Sequence, residues 1–135
     1  MAQSNSLLSE IADGPYMNPC QLRYFQSRLL EWRNRLTASL VSVDKTIHSA
    51  LETSPDWIDT ASAQTQAELT RVNQQRAVAM IREIDAALQR IQDGNYGFCI
   101  ETGDEIGIKR LKAMPTAQFS VLIQEEQEHR RRLGR

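Results

Sequence analysis

The sequence predicts a mainly α fold, a long antiparallel coiled-coil hairpin with a small globular region and a C-terminal helix. Three observations carry this expectation. Apolar residues recur at alternating steps of three and four from Leu22 to Leu51, the 3.5-residue seam of a coiled coil. A second helical stripe follows a proline stop at Ser54 and Pro55 and ends at Gly94 and Asn95. The last forty or so residues are short-patterned and turn-rich, too irregular to extend either helix.

Residues 1–17 form a polar N-terminal leader that packs with or stays flexible near the globular part. Asn18 and Pro19 are the start signal of the first helix: asparagine caps, and proline at the first helical position has no N–H to leave unpaired. The seam residues are Leu22, Phe25, Leu29, Trp32, Leu36, Leu40, Val43, Ile47 and Ala50 or Leu51. They carry the helix to about Thr53, roughly 55 Å at 1.5 Å per residue. The second helix runs from about Thr60 to Asp93, with Leu69, Ala77, Met80, Ile84, Ala87 or Leu88 and Ile91 on its apolar face. Thr70 and Asn73 weaken that seam toward the turn. Two such helices joined by a short turn bury their stripes only against each other. The hairpin therefore spans 18–94, with its tip at 54–62. In 95–135, T-G-D-E-I-G-I suits two short strands. Pro115 and Thr116 suggest a helix start, with Thr116 as cap and Phe119, Leu122 and Ile123 on the apolar face.

Composition narrows the function. A formal net charge of −1 offers no global basic field for nucleic acid or anionic membrane. No apolar run reaches the ~20 residues of a bilayer span, and the N-terminus lacks a secretory signal pattern. These features, with only two cysteines, Cys20 and Cys99, suit a cytoplasmic chain with reduced thiols; a disulfide between the two stays open. His48 and His129 have no companions at metal-ligand spacing. Asp104 and Glu105 lie in a turn without a nucleophile or histidine beside them, so no active site is expected. Arg130, Arg131 and Arg132 suit a solvated helix end that complements the helix dipole.

The tip reads S-P-D-W-I-D-T-A-S. Asp59 before Thr60 is a good N-cap and Asp56 after proline suits a turn, which accounts for both acids structurally. Trp57 and Ile58 are not accounted for, and apolar residues beside carboxylates at the end of a thin helical pair suggest a contact surface. At the other end, Y-G-F-C-I-E-T keeps Cys99 where a C-x2-C pair would begin, but Thr102, Ser120 and Ile123 occupy the other three positions of a C-x2-C-x17-C-x2-C frame. A tetrahedral zinc site needs three or four nitrogen or sulfur ligands.

These pieces together resemble the DksA family of RNA polymerase-binding transcription factors. The resemblance rests on Y-M-N-P-C-Q-L, W-R-N-R-L, D-W-I-D-T-A, Y-G-F-C and E-I-G-I-K-R-L-K-A-M-P-T-A, in order from Tyr16 to the C-terminal helix. In its cysteine losses the chain looks like the zinc-independent member of that family known in pseudomonads. The resemblance implies a monomeric, non-enzymatic factor that enters the polymerase secondary channel without reading DNA. It implies repression of ribosomal RNA promoters and activation of some amino-acid promoters, together with the alarmone ppGpp. By the same resemblance Asp56, Asp59 and Ala61 are the active tip, and Asn73 and Arg76 contact polymerase. It also implies that no zinc is required and that the chain is used when zinc is scarce; on packing grounds Ile123, with Phe119, Val121, Leu122, Phe98, Ile106 and Ile108, is expected to fill the vacancy. Family positions linked to ppGpp are Glu83, Met114 and Gln124 here, where a positive charge is lost; Lys109, Arg110 and Lys112 lie nearby in sequence. Two other readings stay open: a generic coiled-coil adaptor, which dimerisation would favour, and a thiol redox sensor at Cys99, which needs a low-pKa cysteine and a resolving partner.

Overall fold

The computed structural model describes residues 14–53 and 60–134, with side chains described outside 44–61. Four helices are present among them: α1 (Pro19–Thr53), α2 (Thr60–Asp93), α3 (Ile108–Ala113) and α4 (Val121–Leu133). The chain divides into two compact units, one from the described parts of Met1–Leu29 and Ala86–Arg135, the other Leu30–Asp85.

The second unit holds the antiparallel pair formed by 30–53 of α1 and 60–85 of α2. Trp32, Leu36, Leu40 and Val43 are half-buried while the residues between them are mostly exposed, as a period near 3.5 requires. On this part of α2 the shielded positions are Thr70, Val72, Gln74, Ala77, Met80, Ile81 and Ile84. Leu69, expected on the seam, is 57% exposed. Thr70 and Ala77 are seven residues apart and hold the seam, which leaves Leu69 on its flank. Arg33 Nε donates to Asp85 Oδ1 at 2.7 Å, pairing the two helices, although an exposed ion pair contributes only about 0–1 kcal/mol.

In the first unit α1 begins as its start signal requires. Asn18 Oδ1 accepts the backbone N–H of Gln21 at 2.9 Å, and Gln21 Oε1 accepts the N–H of Met17 at 2.6 Å, so side chains satisfy two donors at this helix entry. Asn18→Ala is expected to lower stability by about 1 kcal/mol, read as a shifted urea midpoint with unchanged slope. At the C-terminus of α2, Gly94 has φ +81°. Gly94 N–H bonds the carbonyl of Ile91 and Asn95 N–H that of Arg90, the paired closure that a left-handed glycine allows.

Phe25, Leu29, Ala87, Tyr96, Cys99, Ile106, Leu111 and Ala117 form the buried apolar set of this unit. Tyr96 is 1% exposed; its ring lies 5.7 Å from that of Phe25, and its hydroxyl donates to the Pro115 carbonyl at 2.8 Å. Tyr16 fastens the start of the unit. Its hydroxyl donates to Gly97 O at 2.6 Å and accepts Gly107 N–H at 2.9 Å, with its ring edge-on to Phe98. Gly97 has to be glycine: φ is +91°, and a Cβ there would meet Met17 Cγ and Sδ at 2.7 Å.

Three local expectations change. The two short strands reduce to a single antiparallel bridge, Phe98 to Glu105, because left-handed glycines at 97, 103 and 107 interrupt the ladder. I-K-R-L-K-A forms helix α3, which was not anticipated, and Leu111 is its buried residue. The last helix starts at Val121 rather than at Pro115 or Thr116, and Thr116 is buried before it. α4 has no buried residue; Leu122 is 77% exposed and Val121 46%, so neither packs inward as expected, whereas Ile106 does.

Candidate functional site

The two ends of the expected site are described to different extents. Asp56 and Asp59 lie outside the described residues, and Ala61 is described only as backbone in the first turn of α2. Asn73 and Arg76 are exposed on α2. Leu69, Asn73 and Arg76 are separated by four and three residues, so they share one helix face. Arg76 has no ion-pair partner among the described residues. Leu69 is the member that sequence reasoning missed. Its signal is a leucine out of step with Thr70 and Ala77, on a solvent face beside two polar residues.

At the finger-like end, three of the four frame positions come together. Cys99 is a free, buried thiol. Burial pushes its pKa up, but this is outweighed by a hydrogen bond from the Thr102 hydroxyl and by the backbone N–H groups of Ser120, Thr102 and Glu101, which lower it to about 7. Thr102 is itself oriented, since its Oγ1 accepts Asp104 N–H at 3.3 Å. Backbone bonds close the turn: Cys99 N–H to Asp104 O at 2.7 Å and Gly103 N–H to Cys99 O at 2.9 Å. Ile100 N–H to Gln118 O at 3.0 Å ties it to the segment before α4. Ile123 is half-buried. Cys20 is also free, and exposed.

The sign of the Cys99 effect on stability follows from its ordinary value of 9.0. Between about pH 7 and pH 9 the unfolded chain binds more protons than the folded one. Stability therefore rises with pH across that window, is fully present above it, and is lost as pH falls through 7. In a Cys20→Ser background the thiolate absorbance should titrate near pH 7. The rise in urea midpoint should be absent from Cys99→Ala, and equal pH profiles would contradict the assignment.

Residues 21–91 match the family model described as DnaK suppressor protein DksA, N-terminal domain. The chain belongs to the DksA family. A relative named RNA polymerase-binding transcription factor DksA, from Caulobacter vibrioides, is 40% identical over 123 residues, 91% of this chain and 87% of that protein. A relative of the same name from Escherichia coli (strain K12) is 37% identical over 109 residues, 78% of this chain and 70% of its own length. The structure of transcription factor DksA2 from Pseudomonas aeruginosa superposes with a TM-score of 0.83 at 33% identity, covering 92% of this chain and 97% of that one. The mainly α fold with a coiled-coil hairpin and small globular region is that of the DksA family.

Residues 94–129 match the prokaryotic dksA/traR C4-type zinc finger. The expectation of a chain without zinc is corrected by this match, which points to zinc as a ligand of this fold. Cys99 gives the correction a physical basis, because a thiol lowered toward neutrality is a soft anionic metal ligand. The other frame positions do not complete a four-thiolate set. Among the described residues no cluster of three His, Cys, Asp or Glu side chains forms, so a tetrahedral C4 site does not fit the residues present.

No helix among the described residues is long and apolar enough to cross a membrane.

Proposed function

We propose that this DksA-family chain is a non-enzymatic, cytoplasmic transcription factor that binds RNA polymerase. One observation carries the reading: the relatives named RNA polymerase-binding factors align with it over up to 91% of its length. The hairpin enters the secondary channel as a monomer and places Asp56, Asp59 and Ala61 near the polymerase active site. There the carboxylates act by field and hydrogen bonding on basic or polar elements and do no chemistry themselves. The promoters affected are ribosomal RNA promoters, which are repressed, and some amino-acid promoters, which are activated. The domain plan behind this is a leader at 1–17, a hairpin at 18–94 and a finger-like region at 95–135.

Asn73 and Arg76 make polymerase contacts, and the exposed Leu69 extends that contact face. Leu69→Ser combined with Arg76→Ala is expected to weaken capture of core polymerase by about tenfold or more, since each interface anchor contributes about 1–2 kcal/mol. Undiminished capture by a folded double variant would exclude this face.

The chain acts together with ppGpp at the polymerase interface. Glu83 and Met114 are exposed and bring no positive charge, and the Gln124 side chain accepts from Arg110 Nη2. Arg110 is also held by the Phe119 carbonyl, which leaves Lys109 and Lys112 as the freer cations of α3. Pull-down with core polymerase followed by in vitro transcription with and without ppGpp tests the proposal. Binding with a ppGpp-enhanced loss of ribosomal RNA transcript supports it, and absence of polymerase binding overturns it.

A further inference from the structure

On α4, Ile123, Gln124 and Gln127 are half-buried and every other residue of the helix is exposed. Two side-chain bonds fix which way the helix is turned. Gln124 accepts from Arg110 Nη2, and Gln127 Nε2 donates to Glu101 Oε1 at 3.0 Å. The face turned away from these bonds carries Leu122, Glu126, His129 and Leu133, all exposed, at steps of four, three and four. That is the spacing of a coiled-coil seam. Leu122 is 77% exposed and Leu133 73%, the two most exposed large apolar side chains among the described residues.

This face is complementary to itself. Its leucines sit at the two ends, and the charges of the helix are sorted along it: Glu125, Glu126 and Glu128 precede Arg130, Arg131 and Arg132. A second copy laid antiparallel, centred between residues 127 and 128, would bring Leu122 against the partner's Leu133 and Glu126 against the partner's His129. On the flank Glu125 would meet the partner's Arg132, and two-fold symmetry makes each of these contacts twice. A parallel pair would oppose Glu126 to Glu126 and Arg130 to Arg130, so charge selects the antiparallel arrangement. The charges now pair within the helix, Arg130 with Glu126 at 2.6 Å and Arg132 with Glu128 at 4.0 Å. Exposed pairs of this kind contribute little and are readily exchanged.

We propose that α4 is a self-association surface whose partner is α4 of a second copy, packed antiparallel. The seam of the hairpin takes no part, and the inference does not rest on polymerase binding. A pair of 13-residue helices falls below the ~1,200 Å² of a standard interface. The pairing is therefore weak and reversible, with a Kd on the order of 100 µM, and belongs to the free chain at high concentration.

Sedimentation equilibrium of the full-length chain should show a mass rising toward that of two chains between about 10 and 500 µM. A reducing agent is needed because Cys20 is free and exposed. Leu122→Ser combined with Leu133→Ser should weaken association about tenfold or more. Both side chains are exposed, so helix content by circular dichroism should not change. Glu125→Arg should weaken association by a similar factor, as two Arg–Arg contacts replace two ion pairs. Adding Arg132→Glu to the same chain should restore it to within about threefold, a coupling that neither general stickiness nor an altered fold produces. A chain that stays single, a dimer indifferent to the leucines, or a charge swap that fails to restore association would each overturn the proposal. So would a single chain whose leucine variant loses capture of core polymerase, which would give the face to that partner.

Discussion

Replacing Asp56 and Asp59 together by asparagine is expected to abolish repression of a ribosomal RNA promoter while leaving capture of core polymerase within about twofold. The substitution keeps size and capping capacity and removes only charge. α2 begins at Thr60, so Asp59 is the residue before its first turn, and asparagine caps there as well as aspartate does. Loss of function without loss of stability would therefore report the charge itself. At the effective dielectric near a protein surface, unit charges about 4 Å apart interact by about 4 kcal/mol. That exceeds the roughly 1.4 kcal/mol that changes an equilibrium tenfold, so a tip acting by field cannot lose both charges silently. Polymerase contact is assigned to the Leu69, Asn73 and Arg76 face, which the substitution leaves intact. A double variant that binds and represses normally would show that the acids serve only as turn and cap residues.

The largest stability effect is expected at Tyr96, the most voluminous of the fully buried side chains among the described residues. Tyr96→Ala removes a ring packed against Phe25 and should cost about 3–5 kcal/mol, the usual range for deleting a buried aromatic. Tyr96→Phe keeps the ring and loses the hydroxyl, leaving the Pro115 carbonyl without that donor at a cost of about 1–3 kcal/mol. Urea unfolding should place the two variants in that order. Equal losses would mean that the hydrogen bond to Pro115, rather than the ring, dominates. Near-neutral Tyr96→Phe with a large Tyr96→Ala loss would assign the effect to packing alone. The turn after α2 should be more perturbed by Tyr96→Ala than the Arg33 to Asp85 pair, since Tyr96 and that pair lie in different compact units.

The long helices were legible because their causes are local. Asn18 and Pro19 start α1, Gly94 ends α2, and the periodic stripes between them specify helix whatever lies elsewhere. The expected stop at Thr53 and restart at Thr60 coincide with the observed bounds. Leu69 was misplaced because a seven-residue repeat and a 3.6-residue helix drift apart, and a single leucine near a polar stretch does not reveal which side of the seam it joins. Of the candidate site, Asn73 and Arg76 were readable only through the family resemblance, and both are exposed on α2.

By itself the sequence determined the two long helices, their capped ends, the spacing of Cys99, Thr102, Ser120 and Ile123, and the family to which the chain belongs. Tertiary structure decided the rest of the finger-like region. There the backbone is held by bonds between distant residues, as when the Tyr16 hydroxyl bridges Gly97 and Gly107, 81 and 91 positions away. Such bonds accompany the reduction of a short hairpin to a single bridge, a helix over I-K-R-L-K-A and the start of α4 at Val121. One guanidinium nitrogen of Arg90 is buried without a partner, a consequence of packing that no spacing of residues could announce.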